Sequence, residues 1–123
     1  MFNHVMVGAN DIDDSKRFYD AALGALGIAP GIKDSEVRCS YRENGGVFMI
    51  KSPINGEPAT NGNGSTIGFA AKNATEVDAW HASGVANGGT TCEDPPGVRD
   101  SGVYLAYLRD PAGNKVCAAH RIR

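Results

Sequence analysis

The sequence predicts an α+β fold made of two similar halves, each a strand and a helix followed by two or three more strands. In both halves an alternating apolar pattern gives way to a helical one, in the same order along the chain. The second half aligns on the first without a gap at an offset of 62 residues, which places His4 on Thr66. Two such units can form a cup-shaped mixed sheet with the helices outside.

The first half opens with a predicted strand over residues 2–9. Val5 and Val7 occupy one face of this strand, which we expect to lie beneath the helices. The opposite face carries His4, Met6 and Gly8. Because side chains alternate across a strand, these three are predicted to face the cup.

A helix is predicted near Asp13–Leu26, since two aspartates favour a helix start and Gly27 supplies a stop. Two extended pieces follow, over residues 36–42 and 46–52. The dipeptide Asn44-Gly45 between them is typical of a two-residue hairpin turn. The first module therefore covers about residues 1–52, and residues 53–64, rich in Pro, Asn and Gly, form a connector.

The second module, about residues 65–123, repeats this order. A strand around Ile67 and Phe69 precedes a capping-box-like start at Asn73–Glu76. The predicted apolar face of the second helix consists of Val77, Trp80, His81 and Val85, and Gly88-Gly89 ends the helix. Further extended pieces are predicted at residues 90–93, 103–109 and 115–120, with a turn at Asp110-Pro-Ala-Gly113. The whole chain is predicted to be one domain.

Composition narrows the classes of partner. The net charge of −2 disfavours nucleic-acid binding, which usually needs a basic surplus. No apolar run approaches the roughly 20 residues of a membrane helix, so no membrane partner is expected. The N-terminus lacks the pattern of a signal peptide, which leads us to expect a cytoplasmic protein. The three cysteines, Cys39, Cys92 and Cys117, form no CxxC pair and no plausible disulfide framework.

Several motifs together resemble the vicinal oxygen chelate superfamily, the group of glyoxalases, bleomycin resistance proteins and ring-cleaving dioxygenases. The opening run His4-Val-Met-Val-Gly-Ala-Asn-Asp11 is followed by Ser15 and by Phe18-Tyr19-Asp-Ala-Ala-Leu23 before Gly27. Near the end, Tyr107-Leu-Arg-Asp110-Pro-Ala-Gly113-Asn114-Lys-Val-Cys117 is similar to the family's Asp-Pro-x-Gly-Asn turn and last strand. Gly88-Gly89 and Pro95-Pro-Gly97-Val-Arg99 also resemble a bacterial branch.

The resemblance implies paired βαβββ modules, a cup-shaped site and a homodimer. In metal-using members, four side chains on the first and last strands of the two modules surround a divalent ion. Carried onto this chain, the first position is His4, the second lies within residues 47–51, the third falls at Thr66 and the fourth at Cys117. Thr66 stands where the family has His and Cys117 where it has Glu. Since catalytic divalent ions generally need three protein ligands, we expect the usual metal site to be incomplete.

Two functions remain open at this stage. The first is a protein that binds a small organic molecule in the cup without the full metal site and without a cofactor. The second is a divalent-metal-dependent glyoxalase-like lyase, related to lactoylglutathione lyase, or a related dioxygenase, using Zn, Ni, Mn or Fe. His4 is the candidate metal ligand and the candidate general base, and a dimer partner could add ligands from His120 and Glu36. The candidate ligand-binding residues are His4, Met6, Arg38, Tyr41, Met49, Thr66, Arg99, Tyr104, Tyr107 and Cys117.

Overall fold

A computed structural model describes residues 1–122 of the chain. Its first half contains β1 (Val5–Gly8), α1 (Ile12–Gly24), β2 (Ile32–Ser35), β3 (Arg38–Glu43) and β4 (Gly46–Lys51). Its second half contains β5 (Ile67–Ala70), α2 (Ala74–Ala86), β6 (Thr90–Thr91), β7 (Gly97–Val98), β8 (Val103–Arg109) and β9 (Lys115–Arg121). The α+β class and the two predicted modules are confirmed.

The strands form two open sheets with matching topology. The first has the order β1-β4-β3-β2, and the second has the order β5-β9-β8-β6 with β7 also paired to β8. In each sheet the first strand runs parallel to the last strand of its module, and the other pairs are antiparallel. The short strands β6 and β7 together take the place that β2 has in the first module. This is the βαβββ plan, so the internal repeat seen in the sequence is a repeat of structure.

One apolar core joins the two modules. The helices α1 and α2 pack against each other, and the fully buried side chains include Phe18 and Tyr19 from α1 and Trp80 from α2. Phe48 of β4 meets Phe69 of β5 edge-on, with ring centroids 5.1 Å apart. Because these aromatic contacts cross from one module to the other, burial of apolar area ties the modules together.

Several local predictions agree with the structure. At the β3–β4 hairpin, Asn44 and Gly45 have φ angles of 49° and 82°, as the left-handed turn predicted from Asn-Gly requires. Asn73 caps α2 by accepting the backbone amide of Glu76, as predicted. The cap of α1 is Asp11, which accepts the amides of Asp13 and Asp14, so the expectation that Asp13 or Asp14 would be the cap was wrong. The range of β8 is the predicted one, and residues 53–64 carry no helix or strand.

Three other local predictions were wrong. Strand β2 was not predicted, because its Ile-Lys-Asp-Ser sequence has no apolar alternation and three of its four residues are exposed. Val85 is 44% exposed, and the small Gly84 takes the buried position on α2 instead. The first strand begins at Val5 and not at Phe2, whose side chain is 74% exposed. Within residues 1–122, no helix is long and apolar enough to span a membrane.

Candidate functional site

Each sheet turns one face toward the helices. The other face, which the sequence predicted to line the cup, is here called the outer face. On β1, Val7 packs against the core while Met6 is 43% exposed, which confirms the predicted alternation. Met6 pairs with Met49 of β4, and Gly68 pairs with Cys117 of β9. Since Met6 and Gly68 are 62 residues apart, Met49 is the structural counterpart of Cys117.

The ten candidate residues lie on the outer faces of the two sheets, on the faces toward the helices, and at the ends of strands. Met6, Arg38 and Met49 belong to the outer face of the first sheet, and Tyr107 and Cys117 to that of the second. The strand alternation turns Tyr41 and Tyr104 toward the helices. There the Tyr41 hydroxyl donates to Asp20 at 2.8 Å, and the Tyr104 hydroxyl donates to Asp78 at 2.8 Å.

The other candidates lie at the ends of strands. His4 and Thr66 are exposed residues that immediately precede β1 and β5. Arg99 follows β7, and its guanidinium donates to the carbonyls of Asp94, Pro95 and Gly97 at 3.0–3.1 Å. These bonds hold the loop before β7 in place, so Arg99 has a structural task there.

The outer face of the second sheet carries a cationic and aromatic cluster. The Tyr107 ring lies 4.8 Å from the Lys115 ammonium and 5.9 Å from the Arg99 guanidinium. Lys115 is also ion-paired with Glu93. Cys117 is 6% exposed beside this cluster, and burial raises the pKa of its thiol to about 11. At neutral pH this sulfur is therefore a neutral thiol, poorly suited to act as a nucleophile.

His4 lies at the edge of a cavity of about 410 Å³ between the modules. Its ring nitrogen Nδ1 lies 2.7 Å from the side-chain oxygen of Asn3. The walls are largely apolar and come from the end of α1, from β4 and from β5. They include Leu23, Ile28, Phe48, Ile67 and Phe69. Arg42 and Glu43 of the neighbouring hairpin add opposite charges to the lining.

The side chains at the four metal positions do not fit a divalent ion. They are an imidazole, the thioether of Met49, the hydroxyl of Thr66 and the protonated thiol of Cys117. Beyond His4 the set holds no imidazole or carboxylate, the ligands that catalytic divalent ions generally use with an open position, and a thioether and a hydroxyl are weak ligands. Among residues 1–122, no group of three or more His, Cys, Asp or Glu side chains is arranged to hold a metal.

Comparison with known proteins shows which family shares this sequence and fold. The family model for the glyoxalase/bleomycin resistance protein/dioxygenase superfamily matches residues 1–118. The chain belongs to this superfamily. A crystal structure of a glyoxalase/bleomycin resistance protein from Albidiferax ferrireducens is 62% identical, with a TM-score of 0.94 over 98% of this chain and 99% of that one. The family resemblance inferred from the motifs is thus confirmed.

More distant members of the superfamily share the fold. A glyoxalase-related enzyme from Fulvimarina pelagi is 23% identical, with a TM-score of 0.79 over 97% of this chain and 86% of that one. A lactoylglutathione lyase from Agrobacterium tumefaciens is also 23% identical, with a TM-score of 0.67 over 97% and 92%. A search of curated protein sequences gave no significant match.

The superfamily's Asp-Pro-x-Gly-Asn motif, predicted from the sequence only as a turn, is the centre of a buried hydrogen-bond network. Asp110 accepts the Tyr19 hydroxyl at 2.6 Å and the backbone amide of Asn114 at 2.9 Å. The Asn114 side chain in turn donates to the carbonyl of Gly8 at 2.8 Å. The motif therefore fastens β9 to α1 and β1 across the two modules. The spacing of Tyr19 and Asp110 gives no local signal, since 91 residues separate them.

Proposed function

We propose that this glyoxalase/bleomycin resistance-like protein binds a small, largely apolar organic molecule in the cavity beside His4, without the superfamily's usual metal chemistry. The observation that carries this proposal is the cavity itself, which lies between the modules and is walled by Phe48, Ile67 and Phe69. Ligand sites are typically concave and apolar with a few polar groups that orient the ligand. His4, Arg42 and Glu43 supply such groups here.

The chemistry of the family's ligand positions supports binding over metal catalysis. The thioether of Met49 and the hydroxyl of Thr66 offer no negative charge to a divalent ion, and Cys117 replaces the carboxylate of the family. The exposed imidazole of His4 can still accept or donate a hydrogen bond at a ligand's polar group. A ligand held by apolar contact and oriented by this ring requires nothing further from the site.

A thermal-shift screen of small aromatic and aliphatic compounds tests the proposal, with one variant that fills the cavity. Ala70 is an exposed residue of the cavity wall, so Ala70→Trp should occupy the space without disturbing the core. Ala79→Trp, at an exposed position of α2, is the matched control. A ligand at 100 times its Kd adds about 2.7 kcal/mol, or roughly 10 °C in Tm for a domain of this size.

The expected result is that the shift disappears in Ala70→Trp, persists in Ala79→Trp and decreases in His4→Ala for ligands with a polar head. An equal shift in wild type and Ala70→Trp would place the ligand elsewhere and overturn the assignment of this cavity. Because both alanines are exposed, circular dichroism of the two variants should match the wild type.

The alternative is a divalent-metal-dependent glyoxalase-like lyase, or a related dioxygenase. The retained His4 favours it, together with the lactoylglutathione lyase among the structural neighbours. Metal analysis of protein purified without chelator separates the two functions. Stoichiometric Zn, Ni, Mn or Fe that is lost in His4→Ala would favour the alternative, whereas no uptake of any of these ions would exclude it.

We also infer that the protein forms a homodimer, as the superfamily resemblance implies. Apolar side chains outside the core support this inference on the first module, where Ile32 is 69%, Val37 45% and Met6 43% exposed. Light scattering coupled to gel filtration should give twice the chain mass of 12.9 kDa. A monomer at micromolar concentration would contradict it.

A further inference from the structure

A second cavity, of about 610 Å³, lies at the other end of β1 from His4. Its base is formed by Met6, Val7 and Gly8 of β1 and by two cationic residues, Arg38 and Lys51. Its roof is the connector between the modules, which contributes residues 53–55 and 58–60, together with Ser52 at the end of the first module. None of these residues lines the cavity beside His4.

The cavity concentrates positive charge in a chain whose net charge is −2. Arg38 and Lys51 are direct cross-strand partners on β3 and β4, an arrangement of like charges that is normally destabilising. Asp34 neutralises part of Arg38, with contacts of 2.9–3.0 Å. Within residues 1–122, no carboxylate side chain lies within 4 Å of the Lys51 ammonium, and no lining residue is acidic. An anion is the missing complement to this pair.

The connector packs on β1 at one side of this cavity. The backbone amide of Ala59 donates to the side-chain oxygen of Asn10 at 2.7 Å. Ala59 also packs so closely on Gly8 that a Cβ on the glycine would lie 2.8 Å from the Ala59 Cβ. Pro53, Ile54 and Pro58 make the rest of the roof largely apolar, with Ser52 and Asn55 as further polar groups.

From this combination we propose a second binding site, for a small organic anion with a short apolar body. Lys51 is its main charge contact and Arg38 its second, while the connector covers the apolar part. Carboxylates and phosphate monoesters share the required chemistry, since both accept charge-assisted hydrogen bonds from ammonium and guanidinium groups. The site is separate from the cavity of the proposed function and does not depend on it.

The test is calorimetric titration at constant ionic strength with three probes that share a ring: phenyl phosphate, phenylacetate and neutral benzyl alcohol. We expect at least one anion to bind and benzyl alcohol not to bind. Preference for phenyl phosphate or for phenylacetate then identifies the kind of anion. If neither anion binds at a concentration of about 10 mM, which would reveal even a very weak affinity, the proposal is overturned. It is also overturned if benzyl alcohol binds as tightly as the anions.

Variants place the anion in the cavity. Lys51→Met keeps the length of the side chain and removes its charge, so loss of a charge-assisted bond should weaken binding about tenfold. Lys51→Arg should restore most of the affinity, which separates loss of charge from loss of structure. Lys72→Met, at an exposed lysine outside both cavities, is the control and should change affinity less than about twofold. Equal affinities in Lys51→Met and Lys72→Met would refute the site, whereas Ala70→Trp should leave anion binding unchanged.

Discussion

Tyr19→Phe removes a single oxygen atom from the most buried polar contact between the modules. Tyr19 is fully buried, and its hydroxyl donates to the carboxylate of Asp110, which is 4% exposed, at 2.6 Å. The ring itself stays, so no cavity larger than the hydroxyl is created. The change therefore isolates one hydrogen bond to a buried carboxylate.

The size of the expected destabilisation depends on the hydrogen bonds that Asp110 keeps after the change. The carboxylate accepts three other hydrogen bonds at 2.9 Å, from the Ala112 amide and from the backbone and side chain of Asn114. It remains partly satisfied, and a hydrogen bond to a charged group contributes about 1.5–3 kcal/mol. We expect Tyr19→Phe to lower the free energy of unfolding by about 2 kcal/mol, or roughly 8 °C in Tm.

Urea unfolding followed by circular dichroism measures this loss, with Tyr104→Phe as the matched control. The Tyr104 hydroxyl makes an equivalent bond of 2.8 Å to Asp78, but at an exposed site, so its removal should cost less than about 0.5 kcal/mol. Equal losses in the two variants would refute the claim that burial makes the Asp110 contact strong. A double-mutant cycle with Asp110→Asn should show coupling of about 1 kcal/mol or more.

The same contact contributes to the response to high pH. Burial, together with the charge and hydrogen bond of Asp110, raises the pKa of Tyr19 well above its ordinary value of 10.0. The folded chain therefore retains this proton where the unfolded chain has lost it, and stability present below about pH 10 is lost above that pH. Tyr19→Phe should show a smaller decline between pH 9 and 11 than the wild type.

Three further predictions concern close packing and the buried thiol. Gly84→Ala should lower the free energy of unfolding by about 1–3 kcal/mol through overpacking, because the new Cβ would lie 2.4 Å from the Leu108 side chain. Gly24→Ala is the control and should stabilise slightly, because nothing lies within 4 Å of its new Cβ. Urea unfolding midpoints of the two variants measure the difference. Gly8→Ala should lower Tm by displacing the connector, and adding Ala59→Gly should restore it; failure of the rescue would contradict the contact. Cys117, with a pKa of about 11, should react with iodoacetamide at pH 8 at least about 100-fold more slowly than free cysteine, as peptide mass spectrometry can show.

The fold could be predicted wherever local chemistry and tertiary structure agree. The Asn44-Gly45 turn and the Asn73 cap act through their immediate neighbours, so their effect is visible in a few residues of sequence. Strand β2 could not be predicted, because its polar Ile-Lys-Asp-Ser run is held by pairing with β3 rather than by an apolar face. The sequence also could not show that Gly84, and not Val85, takes the buried position on α2. That depends on Phe18 of the other helix, which packs close to where a side chain at residue 84 would lie.

The candidate site was predicted less completely than the fold. Alternation correctly separated Met6 from Val7, but it could not tell which face of an isolated strand meets a helix, so Tyr41 and Tyr104 were included with residues of the opposite face. The Lys51–Arg38 pair escaped notice because cross-strand register fixes it, and register is set by the whole hairpin. The connector appeared only as a polar segment, whereas its contact with Gly8 makes it the roof of a cavity.

The strand register also identifies the second of the four metal-ligand positions. Without it, the second ligand position was any residue from 47 to 51; with it, Met49 is the counterpart of Cys117. Both last-strand positions thus carry sulfur, and neither sulfur carries charge at neutral pH. A divalent ion bound here would lose the carboxylate ligand of the family and find a thioether and a thiol in its place, at a cost in affinity. An apolar ligand meets no such cost at the cavity beside His4, and an organic anion is favoured by the charge of Lys51. The donor chemistry and the two cavities therefore point the same way, toward binding of small organic molecules along β1.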